Sequence, residues 1–344
     1  SETNYKTWWG IHVSGRSNVT IRDCIIKNFY DRGVNFDGNT VWNPLVDPGN
    51  YATGNKFYNN SLLNTARCTN NYGAGQLNIG GQNGMEIYGN TMRQDQRPNF
   101  KNGWPIKYWE NGWLKGVKIY NNTLIKAPYR GTYPGEAGDW DFAIELFNIS
   151  GLEIANNQIQ GCIDLNYNYK GTYQYSTWIH HNTITHSNPN YFESGIILEF
   201  ATQSAIVEDN QFFNASSGVQ FNTRGPGNSG GYNYPAPVGG YSSLTNNVIR
   251  RNLFAGVYRG NGTGIGIFSE GTDDPYVDGL TISNNTIVAK SGNAPYWGID
   301  FSSQPNGNAK NITIKNNIVV GFQAGWLVGS NPSKINGITV QNNL

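Results

Sequence analysis

The chain has 344 residues, only 14% of them charged, and a net charge of +1. That balance argues against nucleic acid or an anionic membrane as the main partner, since both are held chiefly by clustered Lys and Arg. Abundant Asn, 43 Gly and 13% aromatics, among them 10 Trp and 21 Tyr, describe a surface that is polar without being charged, rich in turns and in flat apolar platforms on which sugar rings can stack.

The first predicted element, GIHVS at 10–14, is a strand with apolar residues at period two, and the rest of the chain repeats this kind of segment. Between such strands a second grammar recurs, an apolar residue followed three positions later by Asn: Asn60, Asn90, Asn122, Asn157, Asn182, Asn210, Asn252, Asn285, Asn317 and Asn343, as in IYNNTLI, IANNQI and ISNNTIV. Successive asparagines are 25 to 42 residues apart, so loop length varies while local grammar does not, which marks a solenoid. Asn tolerates the left-handed backbone region and bonds locally through its amide. One Asn at the same bend of every coil therefore predicts a stacked amide ladder, in which these residues build the fold and do no chemistry. N-x-S/T matches such as Asn121 and Asn284 are by-products of that turn.

These residues resemble the right-handed parallel β-helix of pectate-lyase-like, carbohydrate-active proteins, with its asparagine ladder. The expected fold is all-β, about 10–11 coils in one domain over 1–344. The resemblance implies a secreted, periplasmic or cell-surface location and a polysaccharide substrate, but the fold hosts glycoside hydrolases, polysaccharide lyases, epimerases, tailspikes and adhesins, so it leaves the activity open. The first residues already read as part of a coil, so a fragment of a longer secreted protein is expected. No leader or membrane span is read. A ladder needs no second copy, so a monomer is expected. Cys24 stands at the first ladder position and Cys162 opens a strand; both read as small buried hydrophobes. With Cys68 the count is odd and sparse, neither a disulfide framework nor a metal motif.

The strands of the first grammar align as GIHVS (10–14), GVNFD (33–37), QLNIG (76–80), WPIK (104–107), AIELF (143–147), CIDLN (162–166), GIILE (195–199), GVQFN (218–222), GIGIF (264–268), GIDFS (298–302) and GWLVG (325–329). Outward residues then form two columns on one exposed sheet face. The first runs His12, Asn35, Asn78, Pro105, Glu145, Asp164, Ile197, Gln220, Gly266, Asp300, Leu327. The second runs Ser14, Asp37, Gly80, Lys107, Phe147, Asn166, Glu199, Asn222, Phe268, Ser302, Gly329. Acid and amide groups gather in the middle, and the flanks read as bland.

With strands about 4.8 Å apart and a rise of about 3.3 Å per residue, Glu145 and Asp164 stand about 5 Å apart by backbone and Asp164 and Glu199 about 8 Å. Two carboxylates so close cannot both ionise cheaply, so one is expected to carry a proton it can donate. A glycosidase needs such a pair; separations of about 5–5.5 Å suit retention and about 6.5–9.5 Å inversion. Resemblance to polygalacturonase-type hydrolases favours inversion. Asp164 and Glu199 are the expected acid and base, with Glu145 a neighbour or alternative acid. Lys107, Asp141, Asn166, Gln220, Asn222 and Arg224 are the expected sugar-binding groups.

Two other readings share these residues. A polysaccharide lyase would use Lys107 or Arg224 as base, Tyr167 or Tyr169 as proton donor, and Ca²⁺ on Glu145, Asp164, Asn166 and Glu199, although no familiar lyase motif is found. A non-catalytic glycan-binding module would use Trp and Tyr of the loops 94–116, 126–142, 167–176 and 224–243. A hydrolase requires no cofactor, and Ca²⁺ remains an option only for the lyase or for the loop holding Glu270, Asp273, Asp274 and Asp278. His180 and His181 read as surface turn residues, Asp300 as a lone surface carboxylate, and the Gly-rich stretches near 224–231 and 260–264 as loops, since neither opens a helix.

Overall fold

The computed structural model describes residues 8–38, 47–66, 75–95, 104–109, 112–126, 142–186, 194–224, 243–257, 263–270, 276–292, 294–301, 309–329 and 335–344. The call on Asp141 and those on Asp139, Cys68, Asp273, Asp274 and Ser302 lie outside the described residues. Every strand pairing is parallel and joins one coil to the next, as a parallel β-helix requires, with the right-handed connection that parallel strands adopt. Each coil runs through three strand positions. The first holds Trp9–Ser14, Arg32–Asp37, Gly75–Gly80, Trp104–Tyr108, Phe142–Ser150, Cys162–Asn168, Ser194–Gln203, Ser217–Arg224, Thr263–Glu270, Trp297–Phe301 and Gly325–Gly329. A second sheet follows a bend, and a third of ten short strands follows the asparagine turn.

Alternation places one side chain of every pair inside. Val34, Leu77, Ile106, Ile144, Ile163, Ile196, Val219, Ile265 and Ile299 stack in register down the first sheet, all without solvent exposure. Burying each contributes about 1.5–3 kcal/mol, and a single coil has no other surface against which to do so.

The ladder is continuous. Each amide from Asn60 to Asn317 donates through Nδ2 to the Oδ1 of the next, at 2.8–3.1 Å, ending on Asn343. The backbone N–H of each bonds the same oxygen, as from Asn157 to Asn182 at 3.0 Å, and Cys24 opens the ladder by donating its N–H to Asn60 Oδ1 at 3.1 Å. The left-handed conformation expected at the ladder residue belongs instead to its predecessor: Asp23, Asn59, Gly89, Asn121, Asn156, His181, Asp209, Arg251, Asn284, Asn316 and Asn342 all have positive φ. Turning the chain and bridging the coils are thus divided between two adjacent residues. That division explains the frequent Asn-Asn pairs.

Candidate active site

The first sheet brings the two columns together with two shifts. Lys107 pairs with Asn78 and Glu145, not with Gly80 and Phe147, so it belongs to the first column and displaces Pro105. That column runs Asn78, Lys107, Glu145, Asp164, Ile197, Gln220; the second runs Phe147, Asn166, Glu199, Asn222, Phe268. At the far end Leu327 pairs with Ile299, so Val328 takes the place assigned to Leu327.

The shift of Lys107 changes the electrostatics. Lys107 and Glu145 form a buried ion pair, and the ammonium also lies 4.0 Å from the Trp104 ring centroid and 4.6 Å from that of Tyr108. Glu145 is therefore balanced by a cation on one side while facing Asp164 on the other. It is not the isolated acid facing Asp164 that the alignment implied. A divalent cation on this column would meet the Lys107 ammonium, and an ammonium in an ion pair must give up that pair before it can take a proton. Both points weigh against the lyase arrangement.

The face is also not exposed as expected. Lys107, Glu145, Asp164, Asn166 and Asn222 are buried, while Phe147, Ile197, Glu199 and Gln220 are partly exposed. The acidic column thus opens toward solvent at Ile197, Glu199 and Gln220, with Asp164 and Asn166 behind. Apolar clusters border it: Trp104, Phe142, Cys162 and Ile197 on one side, Phe147, Tyr167, Tyr169 and Phe200 on the other. Tyr167 and Phe200 stack at 4.4 Å, nearly parallel, each with positive φ, a conformation uncommon for bulky residues. That makes Tyr167 a packed wall residue.

Within this frame Asn222 Nδ2 donates to Glu199 Oε1 at 3.0 Å, and Ser194 Oγ donates to Gln220 Oε1 at 2.8 Å. Asn166 lies between Phe147 and Glu199 with no exposed surface, and neither its Nδ2 nor its Oδ1 has a hydrogen-bond partner among the described residues. Leaving a buried amide unsatisfied costs about 1–3 kcal/mol, so such a group calls for an explanation. Asn35, nearer the first coil in the same face, is in the same condition. Arg224 stands opposite Glu270 in the register.

The N-terminal flank is not bland. His12 Nε2 lies 2.9 Å from Asp37 Oδ2, Trp9 Nε1 donates to Asp31 Oδ2 at 2.7 Å, and Arg32 pairs with Asp31 while lying 4.0 Å over the Trp109 ring. Asp300 is buried rather than on the surface. His180 is buried too, its ring 3.9 Å from that of Trp178 and Nε2 3.4 Å from Glu153, while His181 is exposed. Asp278 accepts from Asn311 Nδ2 at 2.7 Å and pairs with Lys310 at 3.2 Å. Among the described residues no three His, Cys, Asp or Glu side chains are grouped to hold a metal.

No protein-family model matches the chain, and no curated protein does. Solved structures do. The chain is similar to a tailspike protein mutant of E. coli bacteriophage HK620 in complex with pentasaccharide, at 14% identity and a TM-score of 0.52 over 96% of this chain and 49% of the tailspike. It is similar to the tailspike protein of that phage in complex with pentasaccharide at 13% identity and the same TM-score, again over 96% and 49%. The chain spans about half the length of these tailspikes. At such identity the likeness is one of fold, the parallel β-helix.

Proposed function

We propose that this chain binds a polysaccharide across its first sheet and cleaves it by hydrolysis, with Asp164 as general acid and Glu199 as general base. The observation that carries this reading is the placement of those two carboxylates on adjacent coils, two residues apart along the strand, in the stretch where the face opens to solvent. Their backbones stand about 8 Å apart, which allows the two carboxyl groups the separation of about 6.5–9.5 Å that leaves room for an attacking water and inverts the anomeric centre. Asp164 sits in the drier place, suited to carry a proton to a leaving oxygen. Glu199 has access to water and the Asn222 donor, which suits a carboxylate that activates water. Gln220, partly exposed beside the pair, is a sugar-binding group, whereas Asn166 lies fully buried behind it. The saccharides bound to the tailspikes of the same fold support a glycan as the ligand.

The test is a panel of neutral and uronate polysaccharides, followed by reducing-end release and by ultraviolet absorbance of unsaturated products. Release without that absorbance, lost in Asp164→Asn and Glu199→Gln, is expected. Unsaturated products would assign the chain to elimination. Release unaffected by either substitution would remove these residues from the chemistry.

A further inference from the structure

A second concave site lies on the same coils, past the bend that follows the carboxylate columns. It is a cleft of about 590 Å³ whose walls include Asp47, Trp113, Lys115, Tyr169, Tyr173 and Gln203, within the size range of small-ligand sites. Tyr169 follows the strand that carries Asp164, and Gln203 ends the strand that carries Glu199. The five residues from Asp164 to Tyr169 span at most roughly 16 Å of chain, so a polymer occupying one site can reach the other.

The cleft is built. Tyr173 lies over two glycines of the bend: a Cβ on Gly151 would come within 2.4 Å of its ring, and one on Gly116 within 3.0 Å of its hydroxyl. Both glycines have positive φ, so the same residues turn the chain and seat the ring. Trp113 holds a φ of 56°, costly for a bulky side chain, and its indole N–H has no acceptor among the described residues. Strain and an unpartnered donor in one wall residue point to a ligand.

Charge decides which ligand. Lys115 Nζ is 2.6 Å from Asp47 Oδ2, and the Tyr51 hydroxyl donates to Asp47 Oδ1 at 2.5 Å. The two charges cancel within the site, and a uronate would have to displace Asp47 from its cation. Aromatic faces and the Gln203 amide instead suit the C–H faces and hydroxyls of an uncharged pyranose. We propose that this cleft is a carbohydrate subsite for neutral sugar units of the polymer that crosses the carboxylate columns, an inference that rests on the polysaccharide reading above.

The test is calorimetric titration of the Asp164→Asn/Glu199→Gln chain, which holds substrate without turning it over, with maltopentaose, cellopentaose, chitopentaose and, as acidic comparator, pentagalacturonate. At least one neutral oligosaccharide is expected to bind. Tyr173→Ala and the conservative Trp113→Phe should each weaken it roughly tenfold, the loss of an aromatic anchor or its hydrogen bond, with the thermal midpoint and circular dichroism of Trp113→Phe unchanged. Binding of the acidic oligomer alone, of none, or equally by both variants overturns the subsite. Turnover by the unsubstituted chain separates the two readings. Cleavage with affinity indifferent to Tyr173 and Trp113 sinks the subsite alone, whereas Tyr173-dependent binding without cleavage sinks the hydrolase alone.

Discussion

Lys107 and Glu145 face each other across adjacent strands as a buried ion pair, at the edge of the acidic stretch that begins with Glu145 and Asp164. Removing one member strands a buried charge. Lys107→Met is therefore expected to cost about 3–5 kcal/mol, whereas the double change Lys107→Met/Glu145→Met should recover most of that, since an apolar pair of similar volume replaces the ions at little net cost. Urea unfolding of the two single variants and the double closes the cycle. A loss in the double equal to the sum of the two single losses would mean the pair is not coupled. If the double still cleaves within roughly tenfold of the native rate, Lys107 is not the base of an elimination.

Asp164 and Glu199 act as one unit in the proposed hydrolysis. Asp164→Asn and Glu199→Gln should each lower kcat by about 10²–10⁴, and the double variant should fall little further than the worse single, because either loss already disables the chemistry. Thermal midpoints should barely move for Glu199→Gln, which retains an acceptor for Asn222. Losses that simply multiply would describe two independent binding groups.

Asn166 tests what a buried, unpartnered amide costs. Its amide is buried with no partner among the described residues, so Asn166→Leu should leave stability unchanged or raise it by about 1 kcal/mol, an apolar side chain being cheaper there. A clear loss of stability would show that the amide is satisfied in the native chain and has a structural role.

The ladder makes the opposite prediction. Asn157 donates to Ile119 O at 3.0 Å and Asn182 Oδ1 at 2.9 Å, and its own oxygen accepts from the N–H and the amide of Asn122. Asn157→Ala leaves several buried groups without partners, at about 1–3 kcal/mol each. Asn343→Ala, on the last coil with a partly exposed side chain, should cost far less. The predecessor position answers to different rules: Asn156→Gly should be nearly neutral and Asn156→Val destabilising, because φ is 56° there. Comparable urea midpoints for Asn157→Ala and Asn343→Ala would contradict the ladder's energetic weight.

These contrasts show what the alternation of residues encodes. Coil number, the ladder and most of both columns are legible because burial at period two and an amide every coil repeat without regard to loop length. The place of Lys107 was not. WPIK lacks the leading Gly and the second aliphatic residue of its neighbours, and a slip of two residues leaves every side chain on the same face, so the pattern is silent about it. In GWLVG three successive apolar residues permit a slip of one, which is why Leu327 pairs with Ile299. Burial of Glu145 and Asp164 depends on the neighbouring side chains, among them Lys107 and the cluster around Trp104, which strand alternation does not encode. The cleft around Tyr173 was visible only as aromatic residues in the stretches 94–116 and 167–176.

Acid should weaken the chain in two stages, through groups beside the ladder turn. Glu208 accepts from Arg250 Nε at 2.5 Å, Trp178 Nε1 at 2.9 Å and Arg251 Nη2 at 2.9 Å. Burial pushes its carboxyl up, but the bonds from Arg250 and Trp178 outweigh that and hold it below the ordinary value of 4.5. The Arg251 guanidinium likewise holds Asp209 below 3.8. A carboxyl depressed on folding stabilises above its unfolded value, and that contribution is lost as pH falls through the folded one. His180 is depressed as well, burial outweighing the opposing pull of Glu153, so it lies below 6.5 in the folded chain. Between its folded and unfolded values the unfolded chain binds the extra proton, so stability falls as pH drops below about 6.5, before the carboxylates contribute. Urea midpoints should begin to decline as pH drops below about 6.5 and decline further below about pH 4.5. His180→Phe should flatten the first decline and Arg250→Met should shrink the second. A midpoint that rises between neutral pH and about pH 5.5 would require His180 to gain rather than lose a proton partner on folding.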